Sequence, residues 1–162
     1  MFKPIKSDDT KTNYLFMLES ARAFFKDEND LIALLANLSA LIKLYIGDLN
    51  WAGFYLLKGT ELVLGPFQGL PACVRIVHGK GVCGKAVLEG KTIMVANVHE
   101  FPGHIACDSA SVSELVIPFF KDGKVYGVLD LDSPLPDRFT EMEAGYLEKI
   151  ADLLTEFLSG KK

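Results

Sequence analysis

Apolar residues recur every three or four positions over two stretches near the start of the chain. The first holds Tyr14, Met17, Leu18, Ala21, Phe24 and Phe25, and the second Leu31, Leu34, Leu35, Leu38, Leu41, Ile42 and Tyr45. Such spacing gathers them on one side of an α-helix, which predicts two amphipathic helices, the second capped by Asn29 or Asp30. The pattern then changes. Trp51 to Leu57 and Glu61 to Phe67 predict a hairpin turning at Lys58-Gly59-Thr60, and Val74 to Val77 a short strand after it. Val82 to Glu89 predicts a short helix ended by Gly90, and Lys91 to Ala96 a strand. Ser113 to Phe120 and Lys124 to Asp132 predict a second hairpin around Asp122-Gly123. The last helix opens with Thr140 and, three residues on, Glu143, the spacing of a capping box. It carries Met142, Tyr146, Ile150, Leu153, Leu154 and Phe157 on one face. Asn97 to Ser111 fits neither period and reads as a long irregular loop, the one connection long enough to cover a pocket.

Helices first, a hairpin-built sheet in the middle and a helix last predict an α+β fold, a central antiparallel sheet flanked by N- and C-terminal helices. The 162 residues, 49% of them hydrophobic, suffice for one domain over residues 1–162, with its core over about 14–158. Net charge is −4 and no basic stripe is present, so nucleic acid is not expected as a partner. The first residues lack an apolar signal-peptide core, and no stretch approaches the roughly 18 uninterrupted apolar residues of a membrane span. The expected setting is the cytoplasm, with no membrane association. There, structural disulfides are rare, so three cysteines imply thiols that are buried and inert or thiols that cycle.

Cys107 draws attention because it lies in the Gly/Pro-containing loop Phe101-Pro102-Gly103-His104-Ile105-Ala106-Cys107-Asp108. A thiol there, between a histidine and an aspartate, is placed to be exposed and electrostatically tuned. Cys73 and Cys83 could resolve what it forms. Rival chemistries are weaker. Gly79-Lys80-Gly81-Val82-Cys83-Gly84 matches a dinucleotide fingerprint, but the following helix is too short for a crossover, and the rest of the sheet is hairpins. These glycines read as a tight turn with positive φ, whose freed amides could also hold a carboxylate. Gly84-Lys85 is followed by Ala86, not the Ser or Thr that a P-loop needs. The spacings among Cys73, His78, Cys83, His99, His104 and Cys107 match no zinc knuckle or finger, so no metal site is expected.

Asp130 and Asp132, two apart in a strand, share a face, as do Trp51 and Tyr55, four apart. Spacing alone favours the aspartates as solvent-facing strand ends and the aromatics as core. A convergence of both with Glu114 on a closed pocket is the alternative, and it would raise at least one carboxyl pKa and leave a proton to donate.

Four motifs then become informative together: Trp51-Ala52-Gly53-Phe54-Tyr55, Gly65-Pro66-Phe67-Gln68-Gly69, Gly79 to Gly84, and Phe101 to Asp108, with Ser113-Glu114 and Asp130-Leu131-Asp132 after them. From about Tyr14 to Leu158 the chain resembles the free methionine-(R)-sulfoxide reductases, which are stand-alone GAF domains. The resemblance implies that Cys107 is the nucleophile attacking the sulfoxide sulfur, and that Cys73, ranked ahead of Cys83, resolves the resulting sulfenic acid as a disulfide. It implies Glu114 and Asp132 near the sulfoxide oxygen, Asp130 orienting the site or holding the substrate ammonium, and Trp51 and Tyr55 as an aromatic wall. No cofactor is implied beyond thioredoxin as external reductant, and the exposed faces of the first two helices could serve a homodimer. Other GAF domains are sensors, which leaves a non-catalytic binding module as runner-up. No asparagine here begins the Asn-Lys pair that starts the cyclic-nucleotide GAF motif.

Overall fold

A computed structural model describes residues 2–103, 105 and 109–160. Two helices lead, α1 (Thr10–Asp27) and α2 (Leu31–Tyr45). Asp30 caps α2 by accepting from the Ala33 amide at 2.9 Å, and α1 starts earlier than its apolar period, because Asp9 accepts from the Thr12 amide at 2.7 Å. The strands are β1 (Trp51–Lys58), β2 (Glu61–Gln68), β3 (Arg75–Val77), β4 (Ile93–Val95), β5 (Ser113–Lys121) and β6 (Lys124–Ser133). Between β3 and β4 lies α3 (Gly81–Glu89), and α4 (Glu141–Leu158) closes the order.

The six strands form one antiparallel sheet in the order β3-β2-β1-β6-β5-β4, so the expected α+β architecture is borne out. Both hairpins are where the pattern put them; Asp122 and Gly123 take φ of 51° and 76°, as a two-residue turn twisted with its strands requires. Pro66 sits at an irregularity where β2 carries an extra residue against β1, beyond the residues that β3 pairs, so its missing N–H breaks no ladder.

Each face of the sheet buries a separate core. One packs Leu115, Ile117, Leu129 and Leu131 against the apolar sides of α1, α2 and α4. The other packs Trp51, Tyr55, Val116 and Val128 against Val82, Cys83, Ala86 and Val87 of α3. Period-2 alternation in β5 and β6 feeds both cores at once.

Several expectations change in detail. Strand β4 is shorter than Lys91 to Ala96, because Gly90 turns left-handed (φ 60°) and the Lys91 amide still donates to the Ala86 carbonyl of α3. The loop after it opens with a 3-10 turn, Val98–Glu100, nucleated by the Asn97 side chain accepting from the His99 amide. Met142 is 45% exposed and does not join the packed face of α4. Thr140 does cap α4, accepting from the Glu143 amide, but the Glu143 side chain does not return to form a box. It is fully buried instead, taking a 2.5 Å hydrogen bond from Tyr14 and a 3.0 Å ion pair from Arg138, which also donates to the Gly47 carbonyl. Among the described residues no helix is long and apolar enough to cross a membrane.

Candidate active site

The sheet register brings the predicted acids together. Asp132 of β6 pairs with Glu114 of β5 on one side and with Trp51 of β1 on the other, forming a row across three strands. Asp130, one pleat along the same face, pairs with Gly53 and Val116. Over this face lies α3, whose Cys83 Sγ is 3.9 Å from Glu114 Oε1. Cys83, Glu114 and Asp130 are all buried, their ligand-type atoms within 4.8 Å of one another. Asp130 is thus not a solvent-facing strand end, while Asp132 is only partly covered.

Burial dictates the protonation of this cluster. Removal from water pushes the carboxyls of Glu114 and Asp130 well above their usual range, and the neighbouring acids add to it: Asp130 and Asp132 on Glu114, Asp132 on Asp130. The same burial, with the negative potential of Asp130 and Glu114, holds the Cys83 thiol protonated. The site therefore stores protons next to a thiol that is a poor nucleophile in this conformation.

Trp51 and Tyr55 also come together. Trp51 stacks on Tyr55 with ring centroids 5.8 Å apart and on Phe67 at 5.3 Å. Two glycines make the slot for the indole. A Cβ on Gly53 would lie 2.7 Å from Trp51 Cη2 and 2.3 Å from Phe67 Cβ, and one on Gly69 2.6 Å from Trp51 Cδ1. Gly53 and Gly69 belong to the quoted motifs, but only the packing reveals what they do. The indole Nε1 and one oxygen of Asp130, Oδ1, are buried without a hydrogen-bond partner among the described residues. Buried polar atoms left without a partner are places for the polar groups of a bound molecule.

Tyr55 carries a second contact, its hydroxyl donating to the Cys73 carbonyl at 2.9 Å. Cys73 is half-buried on the loop between β2 and β3 and is engaged in a disulfide, whereas Cys83 is a free thiol. Cys107 and its neighbours His104 and Asp108 lie outside the described residues. The segment that holds them is anchored at both ends. Val98 donates to the Val112 carbonyl at 2.7 Å, Val112 to the Ser133 carbonyl at 2.8 Å, and Asn50 to Ser111 Oγ at 3.0 Å. The glycine-rich segment is the tight turn expected, with Gly79 and Gly81 at φ of 79° and 62°. Gly84 is a close approach, since a Cβ there would lie 2.8 Å from the Val77 carbonyl oxygen.

A sequence model of the GAF domain matches residues 20–156. The chain belongs to the GAF domain family. The resemblance seen in its motifs is borne out by its relatives. It is 51% identical over 132 residues to the free methionine-R-sulfoxide reductase of Escherichia coli, covering 81% of this chain and 80% of that one. Among solved structures it is similar to the free methionine-R-sulfoxide reductase of Neisseria meningitidis in complex with its substrate, at 42% identity and a TM-score of 0.92, covering 97% and 95% of the two chains. It is also similar to the reduced fRMsr of Staphylococcus aureus, at 47% identity and a TM-score of 0.87, covering 98% and 99%.

Proposed function

We propose that this protein reduces free methionine-(R)-sulfoxide to methionine. The observation that carries the reading is the buried, proton-holding pair Glu114 and Asp130 beside the Trp51–Tyr55 wall, in a chain half identical to a reductase of that name. The aromatic wall takes the apolar methyl end of the substrate, and Asp130 orients the site or faces the ammonium.

The Cys107 thiolate attacks the sulfoxide sulfur while Glu114 or Asp132 protonates the oxygen. Oxygen passes from the methionine sulfur to the cysteine sulfur, so methionine is reduced and Cys107 becomes a sulfenic acid. A second thiol then displaces water from that sulfenic acid and closes a disulfide. We assign this step to Cys73 ahead of Cys83. The disulfide at Cys73 supports the order, as does the buried, protonated state of Cys83. Thioredoxin, a dithiol, returns the pair to thiols in a cytoplasmic setting, and no bound cofactor enters the scheme.

The test is incubation with the separated epimers of free methionine sulfoxide and thioredoxin or dithiothreitol, followed by amino-acid chromatography. The R epimer alone should disappear, and Cys107→Ser should abolish the loss. No turnover, or turnover that survives that substitution, would reject the enzyme and leave a binding module.

A further inference from the structure

The cluster under α3 combines a thiol with two carboxyls, ligand types that a proton-donating site does not require together. Cys83 comes from the helix, Glu114 from β5 and Asp130 from β6, so the three converge from separate elements. Their separations in sequence, 31 and 16 residues, explain why no metal-binding spacing was visible. We propose that Cys83, Glu114 and Asp130 form a binding site for a zinc-class divalent cation, and that its occupancy excludes the sulfoxide from the pocket. The exclusion rests on the function proposed above; the binding does not.

Three observations support the site. A tetrahedral zinc with S and O ligands at about 2.3 Å and 2.1 Å sets the ligand atoms roughly 3.6 Å apart. Cys83 Sγ and Glu114 Oε1 stand 3.9 Å apart, so a small contraction suffices for that pair, and all three ligand atoms lie within 4.8 Å of one another. The Asp130 carboxyl is buried among these ligands, and its Oδ1 has no hydrogen-bond partner among the described residues, an acceptor whose missing contact a cation would supply. A sulfur ligand selects a borderline-soft ion over magnesium or calcium, which prefer all-oxygen sites. Burial raises the cost of three negative charges, so these groups hold protons when alone, and the cation would displace those protons on binding. Among the described residues, the other titratable groups facing the cluster are Asp132, whose negative potential favours a cation, and the neutral Tyr55 hydroxyl.

The test uses the full chain, reduced with a phosphine and freed of metal. Cobalt(II) is the spectroscopic probe, and zinc is titrated against a chromophoric chelator. One equivalent should bind and give a thiolate-to-cobalt charge-transfer band in the near ultraviolet. That band should persist in Cys107→Ser and vanish in Cys83→Ser. Asp130→Asn, which keeps the thiol, should weaken zinc binding by about tenfold or more, and it decides the matter should Cys83→Ser lose its helical circular dichroism. Free methionine should compete with zinc. Absence of the band, its survival in Cys83→Ser, or unchanged affinity in Asp130→Asn would overturn the site. Metal-free wild-type turnover is measured in parallel. Turnover without zinc binding sinks this inference alone, and zinc binding without turnover sinks the proposed reaction alone.

Discussion

The Tyr55 hydroxyl donates to the Cys73 carbonyl at 2.9 Å, so one side chain both stacks on Trp51 and ties down the loop that carries a disulfide cysteine. Tyr55→Phe keeps the ring stack and removes only that bond. We expect a stability loss of about 1 kcal/mol, in line with a neutral hydrogen bond. Steady-state turnover with thioredoxin should fall more than methionine formed in a single turnover, because the reduction step needs no movement of Cys73. Equal losses in both assays would contradict this division.

Gly53→Ala places a methyl where Trp51 and Phe67 already sit, within 2.7 Å and 2.3 Å. The nearby Phe67 Cα, at 2.8 Å, belongs to backbone and cannot swing aside. The expected cost is 1–3 kcal/mol, about that of overpacking a core. Thermal unfolding measures the cost, and quenched or shifted Trp51 fluorescence reports the displaced indole, since Trp51 is the chain's one tryptophan.

Asp130 has a raised folded-state pKa, so the folded protein binds a proton that the unfolded chain releases near pH 4. Its contribution is therefore fully present below the unfolded value and is lost as pH rises toward the folded one. Asp130→Asn cannot ionise. Its midpoint temperature relative to wild type should rise steadily as pH goes from 5 to 8, as followed by circular dichroism. A constant difference over that range would mean that Asp130 does not hold its proton.

Proton donation predicts a matching limb in catalysis. The rate of the reductive step should fall on the alkaline side as Glu114 ionises, and Glu114→Gln should flatten that limb while lowering the rate throughout. Stopped-flow single turnovers across pH would show a retained limb if another group is the donor.

Arg138→Ala leaves Glu143 buried with only Tyr14 to answer it. Removing one partner of a buried pair costs about 3–5 kcal/mol. Chemical denaturation should show a loss of that order, whereas Arg138→Lys should recover only part of it, since an ammonium cannot span Glu143 and the Gly47 carbonyl in the same fork.

The sheet and helices were legible because Asp122-Gly123 divides two apolar runs into a hairpin and α1, α2 and α4 each keep an apolar stripe. The acids were legible only as a shared face; that Glu114 stands opposite Asp132 depends on a one-residue register shift between Phe119 and Phe120, without which the Asp122-Gly123 turn would set Glu114 opposite Leu131. Glu143 misled for a physical reason. Its spacing from Thr140 fits a capping box, but the Tyr14 hydroxyl and the Arg138 guanidinium beside it are stronger partners for its carboxylate than a backbone amide. The glycine slot for Trp51 left no periodic signal at all, since it depends on distances across strands.

The paired hydrogen bonds between Val98 and Val112, and between Val112 and Ser133, fasten both ends of the intervening segment to the sheet margin. A residue inserted or removed between those anchors leaves Val112 tied to Ser133, and so leaves Glu114, two residues further on, opposite Asp132. The alignment of the acids is thereby insulated from length changes in that stretch.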